Sequence, residues 1–245
     1  MPAARRSPAP ACGPGFDATQ DLVRTGTVTL DVQRVLRIES VVAVEIRSNP
    51  RGDDVTWQFE GTVSATSAGA AERIAEQVDV ETTDDRDRLT LTLGQIQQNG
   101  RLEGNWQIEA PEDLSVEVVS GGPTTLVFGF EGDVAIEAAL SVAVVDTEGN
   151  VAIRSGSGEV LVQPDLRTGQ TIDIEAGASI QLAAPPNLSA SIQAAAGTDR
   201  TINITHPSLP LWPGGGLPYN VSVGGALNQI RLVSVAGDVF ITLPL

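Results

Sequence analysis

The chain has 245 residues, a length that fits one large all-β domain or two smaller domains. Its 15 basic residues, all arginine, stand against 31 acidic ones, and the net charge of −16 argues against nucleic acid as a partner. A single Cys, a single His and a single Met are too few for a zinc cluster, a disulfide framework or a Cys–His catalytic dyad.

The remaining composition predicts many short strands. Hydrophobic residues make up 41% of the chain, which is ample for a core, while aromatic residues make up 4%. Charged residues, at 19%, are fewer than in an average globular protein, and 25 Gly and 15 Pro supply turns. We therefore expect an all-β chain with many corners, and we expect neither a cofactor nor a metal.

Residues 1–22 are predicted to form a disordered N-terminal tail, because they are rich in Pro, Ala and Gly and lack apolar periodicity. Cys12 lies in an Ala-Cys-Gly context that resembles the junction at which bacterial lipoproteins are cleaved and acylated. It is therefore a candidate lipidation site, and the tail is a candidate lipoprotein tether. The apolar stretch of a secretory signal is missing behind Arg5 and Arg6, so a chance cysteine in a cytoplasmic protein is the alternative if the given N-terminus is the true start.

Residues 23–245 are predicted to form a single domain, and its first part, 23–125, contains strands, a helix and a hairpin. Apolar and polar residues alternate in this part as they do in half-buried strands. Ser67 is a suitable N-cap for the helix, in which apolar residues recur at helical spacing. The predicted elements are strands at 27–32, 36–38, 42–46 and 55–63, a helix near 67–78, a hairpin over 80–93 and a strand at 106–111.

The second part, 126–245, repeats a short unit of Val or Ile, any residue, and then Val, Ile or Leu. Most units begin roughly 8–12 residues after the previous one. Several follow a Gly and a small or acidic residue, as in Gly132-Asp133-Val134. The units begin at Val134, Val142, Val151, Val160, Ile172, Ile180, Ile202, Val221, Ile230 and Val239.

These units predict a stack of short strands. In a three-residue strand the first and third side chains point to one face, so each β-branched pair faces a shared core. We expect the glycines, among them Gly132, Gly149, Gly158 and Gly237, to supply left-handed backbone at the corners. A fixed period of corner and short strand is typical of a β-solenoid. An antiparallel sandwich, whose strands also recur at this spacing, is the alternative.

The Gly-Asp/Asn/Glu-Val-x-Ile units, preceded by strands, a helix and the strand ending in Ala110-Pro111, resemble the bacterial "putative adhesin" β-solenoid domain. The sequence is similar also to the related autotransporter-adhesin head domain. The likeness covers about residues 27–245. It implies a single-stranded right-handed β-solenoid in a cell-envelope or surface setting, with no established catalytic residues. The Pro-rich insertion departs from the regular repeat.

The residue types that carry catalysis are not grouped in the sequence. His206 precedes a proline without a nucleophile-elbow motif, so a structural or solvent-exposed histidine is expected. A polysaccharide hydrolase or lyase would need two neighbouring carboxylates on the exposed face, yet Asp173 is the one acid among the outward-pointing middle positions. Those positions are Ala135, Ala143, Ala152, Leu161, Asp173, Gln181, Asn203, Ser222, Arg231 and Phe240. We predict that the protein is not an enzyme.

The insertion at 206–219 is the predicted binding loop. It more than doubles the repeat spacing and contains Leu211, Trp212 and Tyr219, in a chain that has one Tyr and 3 Trp. Long excursions from a regular scaffold are often functional, and Trp and Tyr are common anchors of binding surfaces. The alternative is that Leu211 and Trp212 fold back and cover the core.

Together these patterns predict a non-catalytic cell-envelope or surface module that binds or presents an unknown protein or surface glycan. One alternative is a self-assembling scaffold that stacks through solenoid ends, because the final strand at 239–243 is expected to leave an open edge. A polysaccharide-acting hydrolase or lyase is the remote alternative.

If Cys12 is acylated, the full-length gene product will partition with membranes in cell fractionation, and Cys12→Ala will release it, because the acyl chains are then lost. Native protein that is soluble and still carries residues 1–11 in mass spectrometry would contradict export by this route.

Overall fold

A computed structural model describes residues 18–94, 100–214 and 218–244. Cys12 and most of the predicted tail lie outside the described residues. The predicted tail extends too far, because the first strand already begins at Ala18 and its residues 18–22 pair with another strand.

The described residues form twenty strands and one helix. The elements are β1 (Ala18–Thr29), β2 (Val35–Ser40), β3 (Ala43–Asn49), β4 (Asp54–Ala65), α1 (Ala68–Gln77), β5 (Val80–Asp85), β6 (Arg88–Leu93), β7 (Gly100–Pro111), β8 (Ser115–Ser120), β9 (Thr124–Phe128), β10 (Val134–Ala138), β11 (Ser141–Thr147), β12 (Val151–Ser155), β13 (Val160–Pro164), β14 (Thr171–Ala176), β15 (Ile180–Ala183), β16 (Ala190–Ala195), β17 (Ile202–Ile204), β18 (Tyr219–Val223), β19 (Asn228–Ser234) and β20 (Val239–Thr242). The predicted helix near 67–78 and the predicted hairpin over 80–93 are both present.

The strands belong to two ten-stranded sheets. Sheet A has the order β1-β4-β7-β3-β9-β11-β13-β15-β20-β17, and sheet B has the order β18-β16-β19-β14-β12-β10-β8-β2-β6-β5. From β8 to β15 successive strands alternate between the sheets, and from β10 onward each pairs in parallel with the strand two positions earlier. We call two such consecutive strands, one in each sheet, a rung.

An all-β fold with one short helix is thus confirmed. Pairing along the repeat is parallel, which is not the pattern of an antiparallel sandwich. Antiparallel pairs occur toward the ends of both sheets, so the sheets are mixed, and they are not closed. The right-handed single-stranded solenoid stays a prediction.

The inward positions of both sheets form one hydrophobic core. Val134, Val151, Val160 and Val239, which the repeat places inside, are all buried. In register, Val134 pairs with Val151 across sheet B, and Val160 pairs with Ile180 across sheet A. Equivalent side chains of neighbouring rungs therefore lie next to each other, so each rung buries its apolar face against its neighbours.

At the N-terminal end β1, β4 and β7 form an antiparallel extension that carries α1. The Ser67 hydroxyl accepts a hydrogen bond from the backbone N–H of Ala70 (3.3 Å), as an N-cap does. Ala71 and Ala75 are the buried residues of α1. Arg24 of β1 donates from Nη2 to the carbonyl of Ala75 (2.9 Å), so a cation satisfies the C-terminal end of the helix.

The corner glycines have a different role from the predicted one. Gly132, Gly149, Gly158 and Gly237 do not have positive φ angles. A Cβ added to any of them would instead lie closer than 3.0 Å to backbone atoms of the neighbouring rung, an approach that real Cβ atoms essentially never show. Glycine is required here because the corners of adjacent rungs pack backbone against backbone.

After three of the four corner glycines, the polar residue that follows joins one rung to the next. The Asp133 carboxylate accepts hydrogen bonds from the backbone N–H of Asn150 (2.9 Å) and from its side-chain amide (3.0 Å). The Asn150 side-chain oxygen accepts in turn from the backbone N–H of Thr171 (2.8 Å). Asp238 makes the equivalent bond to Thr201 (2.7 Å). These side chains therefore have a structural role, since they accept hydrogen bonds from backbone N–H groups near the start of the paired strands.

A row of serines at the other end of the sheet B strands is not evident from the hydrophobic repeat. Ser40, Ser120, Ser155 and Ser234 are buried, and each hydroxyl bonds backbone groups of the corner that follows. The Ser234 hydroxyl, for example, donates to the carbonyl of Gly237 (2.8 Å). A hydroxyl at this position forms hydrogen bonds with backbone groups of the corner that have no partner within either sheet.

The predicted open edge of the final strand is wrong. β20 lies between β15 and β17, and β19 lies between β14 and β16, so the last rung is inserted beside an earlier one. β16, which no predicted unit covers, supplies the strand on the far side of β19. The scaffold hypothesis therefore loses the edge on which it was based.

Gly149→Ala tests the backbone packing at the corners. We expect it to lower the free energy of unfolding by about 1–3 kcal/mol, as overpacking does, because its new Cβ meets the carbonyl of Gly132. Gly69→Ala in α1 is the matched control, since nothing lies within 4 Å of its added Cβ. It should be neutral or stabilising by up to about 1 kcal/mol. Urea unfolding measures both changes, and equal effects would contradict the packing argument.

Candidate functional site

The three residues of the predicted binding loop do not share one exposed surface. Leu211 is 80% exposed. Trp212 is partly buried and packs against the hydrophobic core. Tyr219 is buried, its hydroxyl donates to the carbonyl of Pro210 (2.9 Å), and this burial raises the pKa of the phenol. Of the three, Leu211 alone is freely presented to solvent.

The described part of the loop is anchored to the end of the fold. His206 is buried, and its Nδ1 accepts a hydrogen bond from the backbone N–H of Ser208 (3.2 Å). Nε2 is then the protonated nitrogen, and it donates to the carbonyl of Pro185 (2.8 Å). Leu209 is buried in the core. Both ring nitrogens of His206 are thus bonded to the backbone, which confirms the structural alternative for this residue. The segment 215–217 lies outside the described residues.

The outer face of sheet B carries ion pairs. Asp173 lies between Arg154 (2.9 Å) and Arg231 (2.7 Å) on the two neighbouring strands. Burial opposes its ionisation, but hydrogen bonds from the two guanidinium groups outweigh that effect and hold the pKa of Asp173 below its ordinary value. A carboxyl held ionised in this way is unsuited to act as a general acid.

A second set of ion pairs lies on the same face. Arg37 pairs with Glu39 (2.9 Å) and with Glu117 (3.3 Å), and Glu117 also binds Arg88 (3.0 Å). Between the two sets, alanines of β10 and β12 form the floor of an open groove of about 480 Å³. Three of the four charged residues that line it, Arg37, Glu117 and Arg154, are already paired, so the groove offers few free charges to a ligand.

The outer face of sheet A is different, because the outward positions of β9, β11 and β13 are mostly apolar. Leu126, Ala143 and Leu161 are adjacent in register on β9, β11 and β13, and Phe128 is adjacent to Val145. All five are partly exposed. We call these five residues the sheet A patch.

The surroundings of the sheet A patch are mostly uncharged. Thr124, Ser141 and Gln181 lie at its border, and Phe240 closes a shallow groove of about 490 Å³ over part of the patch. At the opposite border the Arg47 guanidinium lies over the Phe128 ring, 4.6 Å from its centroid, and also pairs with Glu45. The patch is therefore an apolar surface with a polar border.

Sequence analysis placed Ala143, Leu161 and Phe240 outward but did not identify them as a site. The available signal was chemical, because a solvent-facing middle position normally holds a polar residue. Leu126 and Phe128 gave a second signal, since they flank the buried Val127 and must point outward in an alternating strand. Their adjacency across β9, β11 and β13 becomes visible only with the strand register.

In the described part of the chain, no group of three or more His, Cys, Asp and Glu residues could hold a metal ion. Helix α1 has ten residues, and no helix in the described ranges has the length and apolarity needed to span a membrane.

No protein-family model matches the chain, and no curated protein does. Among solved structures, that of a putative cell adhesion protein from Clostridium sporogenes matches with a TM-score of 0.52 at 14% identity, covering 92% of this chain and 100% of that chain. The chain therefore shares the fold of that protein.

Two further structures match more weakly. A putative adhesin from Bacteroides fragilis has a TM-score of 0.35 at 10% identity and covers 90% of this chain and 97% of its own. A putative lipid-binding protein from Parabacteroides distasonis has a TM-score of 0.34 at 10% identity, with coverages of 91% and 95%. These two superpositions are too loose to define a shared fold.

Trp212→Ala and Leu211→Ala distinguish core packing from presentation within the loop. Trp212→Ala should lower the free energy of unfolding by about 2 kcal/mol, less than the roughly 3–5 kcal/mol of a fully buried Trp, because this side chain is partly exposed. Leu211→Ala should change it by less than about 0.5 kcal/mol, as at ordinary surface positions. Urea unfolding provides the measurement. An unchanged stability of Trp212→Ala would show that the indole does not complete the core.

Proposed function

We propose that the chain is a non-catalytic binding module of the bacterial cell envelope or cell surface, and that it binds through the sheet A patch. The observation that carries this proposal is the contiguity of five apolar outward side chains on three neighbouring strands. A contiguous apolar patch with a polar border is the kind of protein surface that marks contact sites.

The contrast between the two outer faces supports the choice of surface. On sheet B the outward positions around Asp173 and Glu117 hold arginines and acids that pair with one another. On sheet A the outward positions of β9, β11 and β13 hold mostly Leu, Val, Ala and Phe. With a net charge of −16, most of the molecule repels other acidic surfaces, whereas the sheet A patch can be desolvated without separating an ion pair.

The envelope setting and the finer architecture belong to the same proposal. The shared fold with a putative cell adhesion protein supports a surface role by analogy of fold. The alternation of strands between two sheets supports a single-stranded right-handed solenoid related to the "putative adhesin" and autotransporter-adhesin domains. Acylation of Cys12 would hold such a module at a membrane.

The chemistry of the patch favours a protein ligand over a surface glycan. Aliphatic side chains such as Leu126 and Leu161 can be buried against a protein partner, and burial of apolar area is typical of the centre of protein interfaces. A glycan site would need aromatic side chains that stack on sugar rings and hydrogen-bonding groups that point to the same place. In the groove, Phe240 is the aromatic residue and Gln181 is a hydrogen-bonding residue. The experiment below therefore includes both ligand classes.

We do not favour the two alternatives. The scaffold hypothesis depended on an open edge at the final strand, which β17 occupies. A hydrolase or lyase would need a free carboxyl pair, and Asp173 is held between two arginines.

Leu161→Glu tests the proposal. The fluorescently labelled protein is titrated onto an array of bacterial and mucosal glycans and onto immobilised collagen and fibronectin. Saturable binding should weaken at least about ten-fold in Leu161→Glu, about 1.4 kcal/mol, because a carboxylate in the patch must be desolvated on contact. Ala152→Glu adds the same charge at an outward position of sheet B and should bind like the unmodified protein.

Retention on proteins but not glycans would identify the favoured ligand class, and the reverse would identify a glycan module. Absence of saturable binding to every probe, or equal loss in both variants, would overturn binding through the sheet A patch.

A further inference from the structure

The two sheets present four edge strands, namely β1 and β17 in sheet A and β18 and β5 in sheet B. An edge strand exposes unpaired backbone N–H and C=O groups and can pair with another chain unless it is short, charged, bulged or covered. The four edges of this protein differ sharply in these protections.

Three edges are protected by their length or charge. β17 has three residues. β18 has five residues and runs into a turn in which Gly224, Gly225 and Ala226 all have positive φ angles, so a partner strand cannot continue along it. β5 presents Glu81, Asp84 and Asp85 on exposed positions, which repel another acidic chain.

Within the described residues, the β1 edge has none of these protections. It is a strand of twelve residues that pairs one-for-one with β4 from Ala18 to Thr29, without a register shift. No described strand pairs with its other side. Its sequence is rich in Thr and Val, which suit a strand, and contains no proline. Asp21 and Arg24 are its charged residues and cancel each other.

The Arg24 guanidinium is held by backbone carbonyl groups of its own chain. Nε donates to the carbonyl of Val78 (3.1 Å), Nη2 donates to that of Ala75 (2.9 Å), and Nη1 donates to that of Val23 within β1 (3.1 Å). The side chain is thereby held over the end of α1. The odd-numbered positions of β1 are exposed along the strand, and the central one, Val23, is an apolar side chain that is 57% exposed.

We propose that β1 pairs antiparallel with β1 of a second copy of this chain, about a two-fold axis at Val23, so that the two A sheets become continuous. A two-fold contact between identical strands is isologous and closes after two copies. It removes the long unprotected edge from both molecules.

The register centred on Val23 suits the side chains. Val23 lies opposite Val23 of the partner subunit, which covers the exposed apolar residue. Asp21 lies opposite Thr25 of the partner subunit, so the two copies of Asp21 are offset by four residues, roughly 13 Å along the strand. No like charges face each other, although each copy carries a net charge of −16.

Because the molecule is strongly acidic, a second copy can associate more readily at this edge than elsewhere on the surface. Two acidic molecules associate most readily where the contact strand itself is neutral, and β1 has one acid and one base. An extended peptide from another protein could also pair with the edge by strand addition, and the experiment separates this outcome from self-pairing.

Site-specific cross-linking tests the proposal. In a Cys12→Ala background, Val23→Cys places a thiol opposite its own copy, within the Cα separation that a disulfide requires. Val32→Cys is the matched control, because Val32 is 54% exposed and lies just beyond β1. Under mild oxidation Val23→Cys should give at least about ten times more disulfide dimer than Val32→Cys, because paired thiols are held within bonding reach. Non-reducing electrophoresis provides the measurement.

Sedimentation equilibrium of the chain in the same Cys12→Ala background should show a dimer that dissociates on dilution. Monomer at every concentration, or equal cross-linking of the two variants, would overturn the proposal. Monomeric chain that binds an added Thr- and Val-rich peptide of unrelated sequence would overturn self-pairing and show a peptide-binding edge. These outcomes are independent of the sheet A patch, since Leu161→Glu leaves β1 unchanged.

Discussion

Close backbone contact between successive rungs is the constraint on which the structure depends. At the corners the carbonyl of one rung lies where a Cβ of the next would be, as Gly149 shows against Gly132. Adjacent rungs can keep the strand spacing of a parallel sheet on both sides of a corner only if the corners themselves pack equally close. The repeated glycine is therefore a spacing requirement. The Asp or Asn that follows it supplies a hydrogen-bond acceptor for the neighbouring rung, as Asp133 does for Asn150.

The same constraint separates the stabilising residues from those available for function. Inward positions are buried between the sheets and corner positions are committed to backbone hydrogen bonds, so neither can vary without loss of stability. Outward positions are neither buried between the sheets nor bound to the backbone of a corner. On sheet B they hold ion pairs such as Arg154 with Asp173, and on sheet A they hold apolar side chains such as Leu126 and Leu161. The two outer faces thus have different chemistry on one regular framework, and a binding function is most simply located on the apolar face.

The ends of the stack are built differently from its middle. A regular series of rungs exposes the backbone of its last rung, and in the described residues elements outside the repeat lie at both ends. At one end the antiparallel extension of β1, β4 and β7 carries α1. At the other, the loop anchored by His206 and Leu209 covers core side chains. The inserted strands lie inside that end, β20 one position from the edge of sheet A and β19 two positions from the edge of sheet B, so the final strand does not form the edge. The long edge of β1 is the exception, which is why an interaction is proposed there.

Local periodicity determined much of this protein from its sequence. An alternating strand shows its buried face in a few residues, so the positions of Val134, Val151 and Val160 in the core, the short helix and the acidic hairpin turn all followed from the sequence. These inferences hold because they depend on contacts within a strand or between a side chain and its own turn.

Only the tertiary structure decided which strands are neighbours. The insertion of β19 and β20 beside earlier rungs, the packing role of the corner glycines, the burial of Tyr219 and the assembly of the sheet A patch all depend on residues distant in sequence. Hydrophobic periodicity predicts whether a side chain is buried or exposed, but it does not predict which residues the side chain packs against. Leu126 and Leu161 became one surface because β11 aligns them in register, and that alignment results from the packing of whole rungs.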